Sequence, residues 1–126
     1  MEFAAINWLA TLVGAVAAFF LGWLVYSPIL FIKGWAEGSG VDLKDGGGPP
    51  VFAMVAQIVA LLLLAIVVGI TATGDALITA ILAILAAAAF TVSNGAFCRK
   101  SSFAMAVDGG YVVAAGVVMI LAQGLL

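Results

Sequence analysis

Four long apolar stretches, separated by short polar or glycine-rich segments, dominate the chain. They cover residues 6–27, 50–70, 75–95 and 102–124. Each has about 20 residues, enough for a helix rising about 1.5 Å per residue to cross a hydrocarbon core about 30 Å thick. The pattern therefore predicts an all-α polytopic membrane protein, a bundle of four transmembrane helices that forms a single membrane domain over residues 1–126.

Residues with known preferences for helix ends mark the boundaries of these spans. Pro28 stops the first span, and Pro49-Pro50 opens the second, because proline suits the first turn of a helix. Asp75 is the predicted N-cap of the third helix, and Ser101-Ser102 offers an N-cap for the fourth. The only sizeable loop is therefore residues 28–49.

That loop has two parts of different character. Its first part, residues 29–35, is too short to cross a membrane but apolar enough to lie at the interface, with Lys33 and Trp35 as anchors. The rest is predicted to be a flexible linker because it is rich in glycine. Its glycines are Gly38, Gly40 and Gly46-Gly47-Gly48.

Composition supports a membrane location and excludes several kinds of partner. The chain is 67% hydrophobic and only 8% charged, whereas a soluble domain has about 25% charged residues. The net charge is −2 and there is no basic run, which argues against a nucleic-acid partner. The expected partner is the lipid bilayer.

The four basic residues predict the orientation. Lys33 and Lys44 lie in the first loop, and Arg99 and Lys100 lie in the third. Neither terminus and no residue of the second loop carries a basic side chain. Because cytoplasmic loops collect Lys and Arg, we expect residues 28–49 in the cytoplasm and both termini outside. We expect a multi-pass protein of the bacterial inner membrane.

Small residues recur at helical spacing on three of the four spans. Membrane helices associate where small side chains let backbones approach, although Ala and Gly are also simply common in such helices. The fourth span has small residues on two faces, which suits either a helix central to its bundle or a helix at a subunit interface. The predicted packing residues are Gly14, Ala18, Gly22, Ala83, Ala87, Ala106, Gly110 and Ala114.

Polar side chains within the spans concentrate in one layer of the predicted cytoplasmic half. Asp108 lies about 9 Å along the helix from Ser102, and Gln57 lies at a similar depth in the second span. A buried charge in hydrocarbon costs several kcal/mol, so an intramembrane acid is a candidate functional residue. The predicted polar site comprises Asp108, Tyr111, Asn94, Gln57, Tyr26 and Ser27.

Two chemical interpretations of this acid remain open at the level of sequence. A carboxyl group removed from water binds a proton more readily, which suits proton-coupled transport or binding of a cationic substrate. A cation folding back from Arg99 or Lys100 would oppose that tendency. Alternatively, Asp108 is a structural group whose hydrogen bonds to the other polar residues fix the helix packing.

The sequence has few of the residues that enzymes use for catalysis or for binding cofactors. The chain has no histidine and one cysteine, Cys98, so it lacks an internal disulfide and a usual ligand set for zinc, haem or iron–sulfur clusters. Ser101-Ser102 has no histidine base to activate it as a nucleophile. We expect no enzymatic activity, no cofactor and no metal site.

Both ends of the chain resemble the DUF1761 family. The N-terminal pattern is carried by Ile6-Asn7-Trp8-Leu9-Ala10, Tyr26-Ser27-Pro28 and Leu30-Phe31-Ile32-Lys33-Gly34-Trp35. The C-terminal pattern is carried by Asp108-Gly109-Gly110-Tyr111, followed by an apolar stretch. The resemblance implies a small four-span integral membrane protein of unassigned function. The chain departs from the expected pattern at Val25, in place of tryptophan, and at Ile32, in place of glycine.

Two classes of function fit these features. The first is a small oligomeric carrier or channel in which Asp108 titrates or binds a cation, with a small molecule or ion as substrate. The second is a non-catalytic structural or assembly subunit that packs against itself or within a larger membrane complex. Four spans of this size do not easily enclose a transport path alone, so both classes predict oligomers.

Overall fold

Helices account for nearly all of the chain that the structure describes. The computed structural model describes residues 3–41 and 51–126, and these ranges contain helices and no strand. A short 3-10 turn, Phe3–Ala5, precedes the first helix. The α-helices are α1 (Trp8–Val25), α2 (Ile32–Ser39), α3 (Val51–Thr73), α4 (Leu77–Phe97) and α5 (Ser102–Leu125).

Four of these helices correspond to the predicted spans. By length and composition, α1, α3, α4 and α5 are each long and apolar enough to cross a membrane. The prediction of an all-α multi-pass protein is therefore confirmed at this level. The predicted helix start at Pro49-Pro50, the basic residue Lys44 and the run Gly46-Gly47-Gly48 lie outside the described residues.

The helix ends follow the sequence signals at one boundary and depart from them at another. Ser101 caps α5, and its hydroxyl oxygen accepts a hydrogen bond from the Ala104 N–H at 3.1 Å. Asp75 does not cap α4, because Ala76 holds that position. Asp75 instead adopts a left-handed conformation (φ 53°) in the turn that ends α3. That turn closes through the Ala76 N–H, which donates to the Thr71 carbonyl at 2.9 Å.

The segment predicted to begin a flexible linker is an ordered helix. α2 includes Gly38 and ends at Ser39, and its C-cap is Gly40, whose φ of 71° is a left-handed conformation that glycine tolerates best. The Gly38 carbonyl accepts a hydrogen bond of 2.9 Å from the Ser101 N–H. A Cβ atom on Gly38 would lie 2.9 Å from Ser101 Cβ and 3.0 Å from Ala104 Cβ. Glycine therefore serves close packing here, which the linker prediction missed.

Helix α5 lies at the centre of the molecule and contacts each of the other four α-helices. It runs antiparallel to α1, because Tyr26 at the end of α1 bonds to Asp108 and Thr11 near its start bonds to Gln123. The buried core is made by side chains from α1, α3, α4 and α5. Its members are Ala15, Ala18, Leu61, Ala65, Val68, Ile84, Tyr111, Ala115 and Met119.

On α1, the predicted small residues lie at close contacts. A Cβ on Gly14 would lie 3.2 Å from the Met119 Cα, and Ala18 is fully buried. Gly22 leaves room for the Tyr111 ring, whose hydroxyl would lie 2.7 Å from a Cβ at that position. These residues let α1 approach α5 closely.

On α4, the contact face differs from the predicted one by one residue. Ala83 and Ala87 are half-buried, whereas Ala80, Ile84 and Ala88 are buried. The buried face includes Ile84 because this large α4 side chain packs against a glycine of α5. A Cβ on the α5 residue Gly116 would lie only 2.5 Å from Ile84 Cδ1.

The second small-residue face of α5 is not covered by any part of residues 3–41 and 51–126. Ala106 and Gly110 are exposed, and Ala114 is half-buried. Space for a Cβ on Gly110 is open to 4 Å. This face borders a shallow, mainly apolar groove between α4 and α5, whose lining includes Ala88 and Val92.

We predict opposite effects of alanine at two helical glycines. Gly38→Ala should lower the free energy of unfolding by about 1–3 kcal/mol, because the new methyl group collides with Ser101 and Ala104. Gly110→Ala should leave it unchanged or raise it by up to about 1 kcal/mol, because the site is open and alanine favours the helix. Unfolding in mixed micelles, followed by circular dichroism, measures both. Equal stability of the two variants would contradict the close contact of α2 with α5.

Candidate functional site

The Asp108 carboxylate is the centre of a polar cluster where α1, α2 and α5 meet. Its side chain is only 11% exposed. Oδ1 accepts hydrogen bonds from the Tyr26 hydroxyl at 2.5 Å and the Trp35 indole N–H at 2.8 Å. Oδ2 accepts from the Lys100 ammonium group, also at 2.8 Å. Donors from three separate parts of the chain therefore converge on one carboxylate.

This arrangement suits the ionised form of Asp108. A carboxylate is an acceptor only, whereas a protonated carboxyl has a hydrogen to donate. All three partners are donors, and the Lys100 ammonium supplies the compensating positive charge. Hydrogen bonds to charged groups are shorter and stronger than neutral ones, and a paired charge is far cheaper to bury than an isolated one.

The turn between α4 and α5 positions Lys100. The Lys100 N–H donates to the Gly95 carbonyl at 2.9 Å, and the Arg99 N–H donates to the Ala96 carbonyl at 3.0 Å. These two bonds define a Schellman turn, in which Arg99 takes the left-handed conformation (φ 60°) usually held by glycine. The chain reverses direction within this turn. The Lys100 side chain therefore lies beside the first turns of α5, where it contacts Asp108, eight residues further along the chain.

Aromatic rings enclose the carboxylate. The Tyr26 ring packs edge-to-face against Trp35, with centroids 5.3 Å apart, and against Tyr111 at 5.8 Å. The Lys100 ammonium nitrogen lies 5.3 Å from the Trp35 ring centroid, within the range of a cation–π interaction. The ammonium therefore has an anion and an aromatic face as neighbours.

Tyr111 extends the cluster deeper between the helices. Its hydroxyl donates to the Ala18 carbonyl of α1 at 2.7 Å and accepts a long contact of 3.5 Å from the Gln57 side-chain amide of α3. Gly22 provides the space that the ring occupies. Through Tyr111, the polar cluster reaches α3.

Comparison with known sequences identifies the family. The family model described as "Protein of unknown function (DUF1761)" matches residues 9–124, nearly the whole chain. The chain belongs to the DUF1761 family. Searches of curated proteins and of solved structures gave no match. Membership of this family assigns no activity to the chain.

The structure brings together four of the six predicted site residues. Tyr26 bonds directly to Asp108, Tyr111 packs beside Tyr26, and Gln57 joins through Tyr111. Asn94 does not join them. Its side chain is exposed, because the face of α4 that packs against α5 near this end of the helix contains the adjacent Gly95, which lies beside Met105.

Ser27 also stays outside the cluster. Its hydroxyl donates to the Leu24 carbonyl at 2.6 Å and so closes the end of α1. Two other residues of this DUF1761 protein have larger roles than predicted. Trp35 was expected to be an anchor at the membrane interface, but its N–H points inward to Asp108. Of the two basic residues that could supply a cation to the acid, Lys100 is the one that does so, with its ammonium nitrogen 2.8 Å from Oδ2.

A second polar contact joins the start of α1 to the end of α5. The Gln123 side-chain amide donates to the hydroxyl of Thr11, which is 1% exposed, at 3.0 Å. The Thr11 hydroxyl in turn donates to the Asn7 carbonyl at 3.0 Å. Neither hydrophobic pattern nor depth singled out Thr11, because a threonine bonded to its own helix is common in apolar segments.

We predict that Trp35→Phe destabilises the protein through loss of one hydrogen bond. The free energy of unfolding should fall by about 1–3 kcal/mol, because Oδ1 loses a donor in a buried place. Trp23→Phe is the matched control, since Trp23 is 73% exposed on α1. Unfolding of both variants in mixed micelles, followed by circular dichroism, gives the comparison. Identical stabilities would show that the indole N–H does not hold α2 in place.

Proposed function

We propose that this DUF1761 protein is a non-catalytic structural or assembly subunit of a membrane complex, either a homo-oligomer or a larger assembly. Asp108 serves as the internal anchor that fixes the relative positions of α1, α2 and α5. The observation that carries the proposal is that donors from the chain itself engage both carboxylate oxygens, one of these donors being the Lys100 ammonium.

A carrier would use this acid differently. A carboxylate that transports protons or a cationic substrate has to exchange its partners during each cycle, so it needs a path to water or substrate. Here the Lys100 ammonium occupies the position of a cationic substrate. The groove between α4 and α5 and the smaller one beside Asp75 and Gln123 are both lined by residues other than Asp108. While Lys100 holds this position, these features favour a structural carboxylate over a transporting one.

The proposed topology places the Asp108 end of the molecule in the cytoplasm of a bacterium, with both termini outside the inner membrane. α2 contains Lys33, and the turn before α5 contains Arg99 and Lys100. The Ser101 N–H at the end of that turn donates to the Gly38 carbonyl of α2, so the basic residues lie at one end of the molecule. The positive-inside rule assigns such a basic end to the cytoplasmic side. In this arrangement the four long helices form a membrane bundle, with α2 at its cytoplasmic end.

The assembly role draws on the uncovered face of α5. Ala106 and Gly110 are exposed beside the apolar groove, where a neighbouring helix backbone could approach closely. The lack of histidine in the sequence supports the non-catalytic part of the proposal.

Asp108→Asn separates the subunit proposal from the carrier alternative. The amide should weaken packing strongly, by about 3–5 kcal/mol, because Lys100 loses its compensating charge and the Asn NH₂ group faces other donors. The subunit proposal predicts a smaller or less stable oligomer by native mass spectrometry and no pH-dependent flux in proteoliposomes of either form. The exposed Asp75→Asn change is the matched control and should assemble normally.

The opposite pattern supports the carrier. If Asp108→Asn assembles like the wild type, and if pH-dependent flux is present in the wild type and lost in the variant, the subunit proposal is wrong.

A further inference from the structure

We propose that Asp108 and Trp35 form a binding site for a primary ammonium group, and that the Lys100 side chain occupies this site as an internal ligand. The proposal concerns the chemistry that the cluster recognises, and it does not depend on whether the protein is an assembly subunit. The external ligand class is a primary amine in its charged form, either a free alkylammonium ion or the ethanolamine headgroup of a phospholipid.

The two carboxylate oxygens of Asp108 have different hydrogen-bonding partners, and this difference supports such a site. Oδ1 is held by the Tyr26 hydroxyl and the Trp35 N–H, while Oδ2 has the Lys100 ammonium as its hydrogen-bonding partner within residues 3–41 and 51–126. Removal of the ammonium therefore leaves Oδ2 unsatisfied and leaves the carboxylate oriented by its other two bonds. The result is a fixed anion with one open acceptor.

The surroundings select the type of cation. The ammonium nitrogen lies 2.8 Å from Oδ2 and 5.3 Å from the Trp35 ring centroid. A primary ammonium fits both contacts, because it is small, carries N–H donors and is attracted to an aromatic face. A quaternary ammonium has no N–H to donate. A metal ion prefers several oxygen ligands, whereas the neighbours of Oδ2 here are an aromatic ring and N–H groups.

The Lys100 side chain blocks access to the site, and no spanning helix has to move to open it. Lys100 comes from the turn between α4 and α5, and its side chain is 24% exposed. Its four-carbon stem can therefore leave the carboxylate without displacing a spanning helix. As a tethered ligand, Lys100 has a high effective concentration at the site, so an external amine competes poorly while Lys100 is present.

Chemical rescue of Lys100→Ala tests the proposal. The variant lacks the last three carbons and the nitrogen of lysine, a vacancy that n-propylammonium matches. In nanodiscs of phosphatidylcholine, which has no primary amine, the variant should melt about 5 °C or more below the wild type. Propylammonium chloride should raise its Tm by several degrees in a saturable manner, and methylammonium should do so less well. The wild type should respond no more than it does to sodium chloride.

Controls at equal ionic strength make the outcome specific. Sodium and tetramethylammonium chlorides should leave the Tm of Lys100→Ala low, and Lys100→Ala/Asp108→Asn should not respond to propylammonium. Nanodiscs containing phosphatidylethanolamine distinguish the two ligand sources: rescue by that lipid alone identifies a headgroup site, and rescue by soluble amine alone identifies a free-amine site. If Lys100→Ala does not fold without amine, its recovery on purification in propylammonium but not in tetramethylammonium supports the proposal equally.

Two results would overturn the inference. One is an equal response of Lys100→Ala to propylammonium, tetramethylammonium and sodium. The other is failure of both primary-amine sources to raise its Tm or its folded yield. Either result leaves the assembly test with Asp108→Asn unaffected, because that test is read from oligomer size and flux.

Discussion

The structure depends on the neutralisation of one carboxylate that is largely shielded from water. A charge in such a place is tolerated only when donors surround it and an opposite charge lies close by. The sequence supplies those groups from separate segments: a tyrosine at the end of α1, an indole in α2 and a lysine in the turn before α5. Their convergence on Asp108 fixes the position of α2, which is too short to cross the membrane.

The donors reach Asp108 because glycine lets the helices approach closely. Gly38 places the backbone of α2 against the start of α5, and Gly34 does the same against the Phe103 ring. Gly22 makes room for Tyr111 beside α1. Between membrane helices the hydrophobic effect offers little attraction, so packing and hydrogen bonds carry the association. The close approach and the polar cluster therefore support each other.

Much of this architecture was predictable from the sequence. The four spans follow from hydrophobic length, and the proximity of Asp108, Tyr26 and Gln57 follows from their similar depth along the helices. Depth does not determine rotation about a helix axis, so it predicts Asn94 in the cluster although this side chain is exposed. The α4 contact face was misjudged for a related reason: a large residue, Ile84, packs over Gly116, so small residues alone do not mark an interface.

The role of α2 was the largest feature that the sequence did not predict. Tryptophan near a membrane surface ordinarily suggests an interfacial anchor, and repeated glycine ordinarily suggests a flexible segment. Both signals have a second meaning that depends on a partner elsewhere in the chain. The Trp35 indole N–H donates a hydrogen bond to Asp108, 73 residues away. The Gly38 carbonyl accepts a hydrogen bond from the Ser101 N–H. Such long-range pairings are not visible in the local pattern.

The protonation state of Asp108 tests the central claim most directly. Infrared difference spectroscopy of wild type minus Asp108→Asn, recorded at neutral pH in lipid bilayers, isolates the signal of this one side chain. An ionised, fully bonded acid predicts loss of a carboxylate stretching band in the variant, with no loss of a protonated-carboxyl C=O band. Loss of the protonated C=O band instead would show a neutral acid, and would contradict the view that three donors converge on an ionised carboxylate.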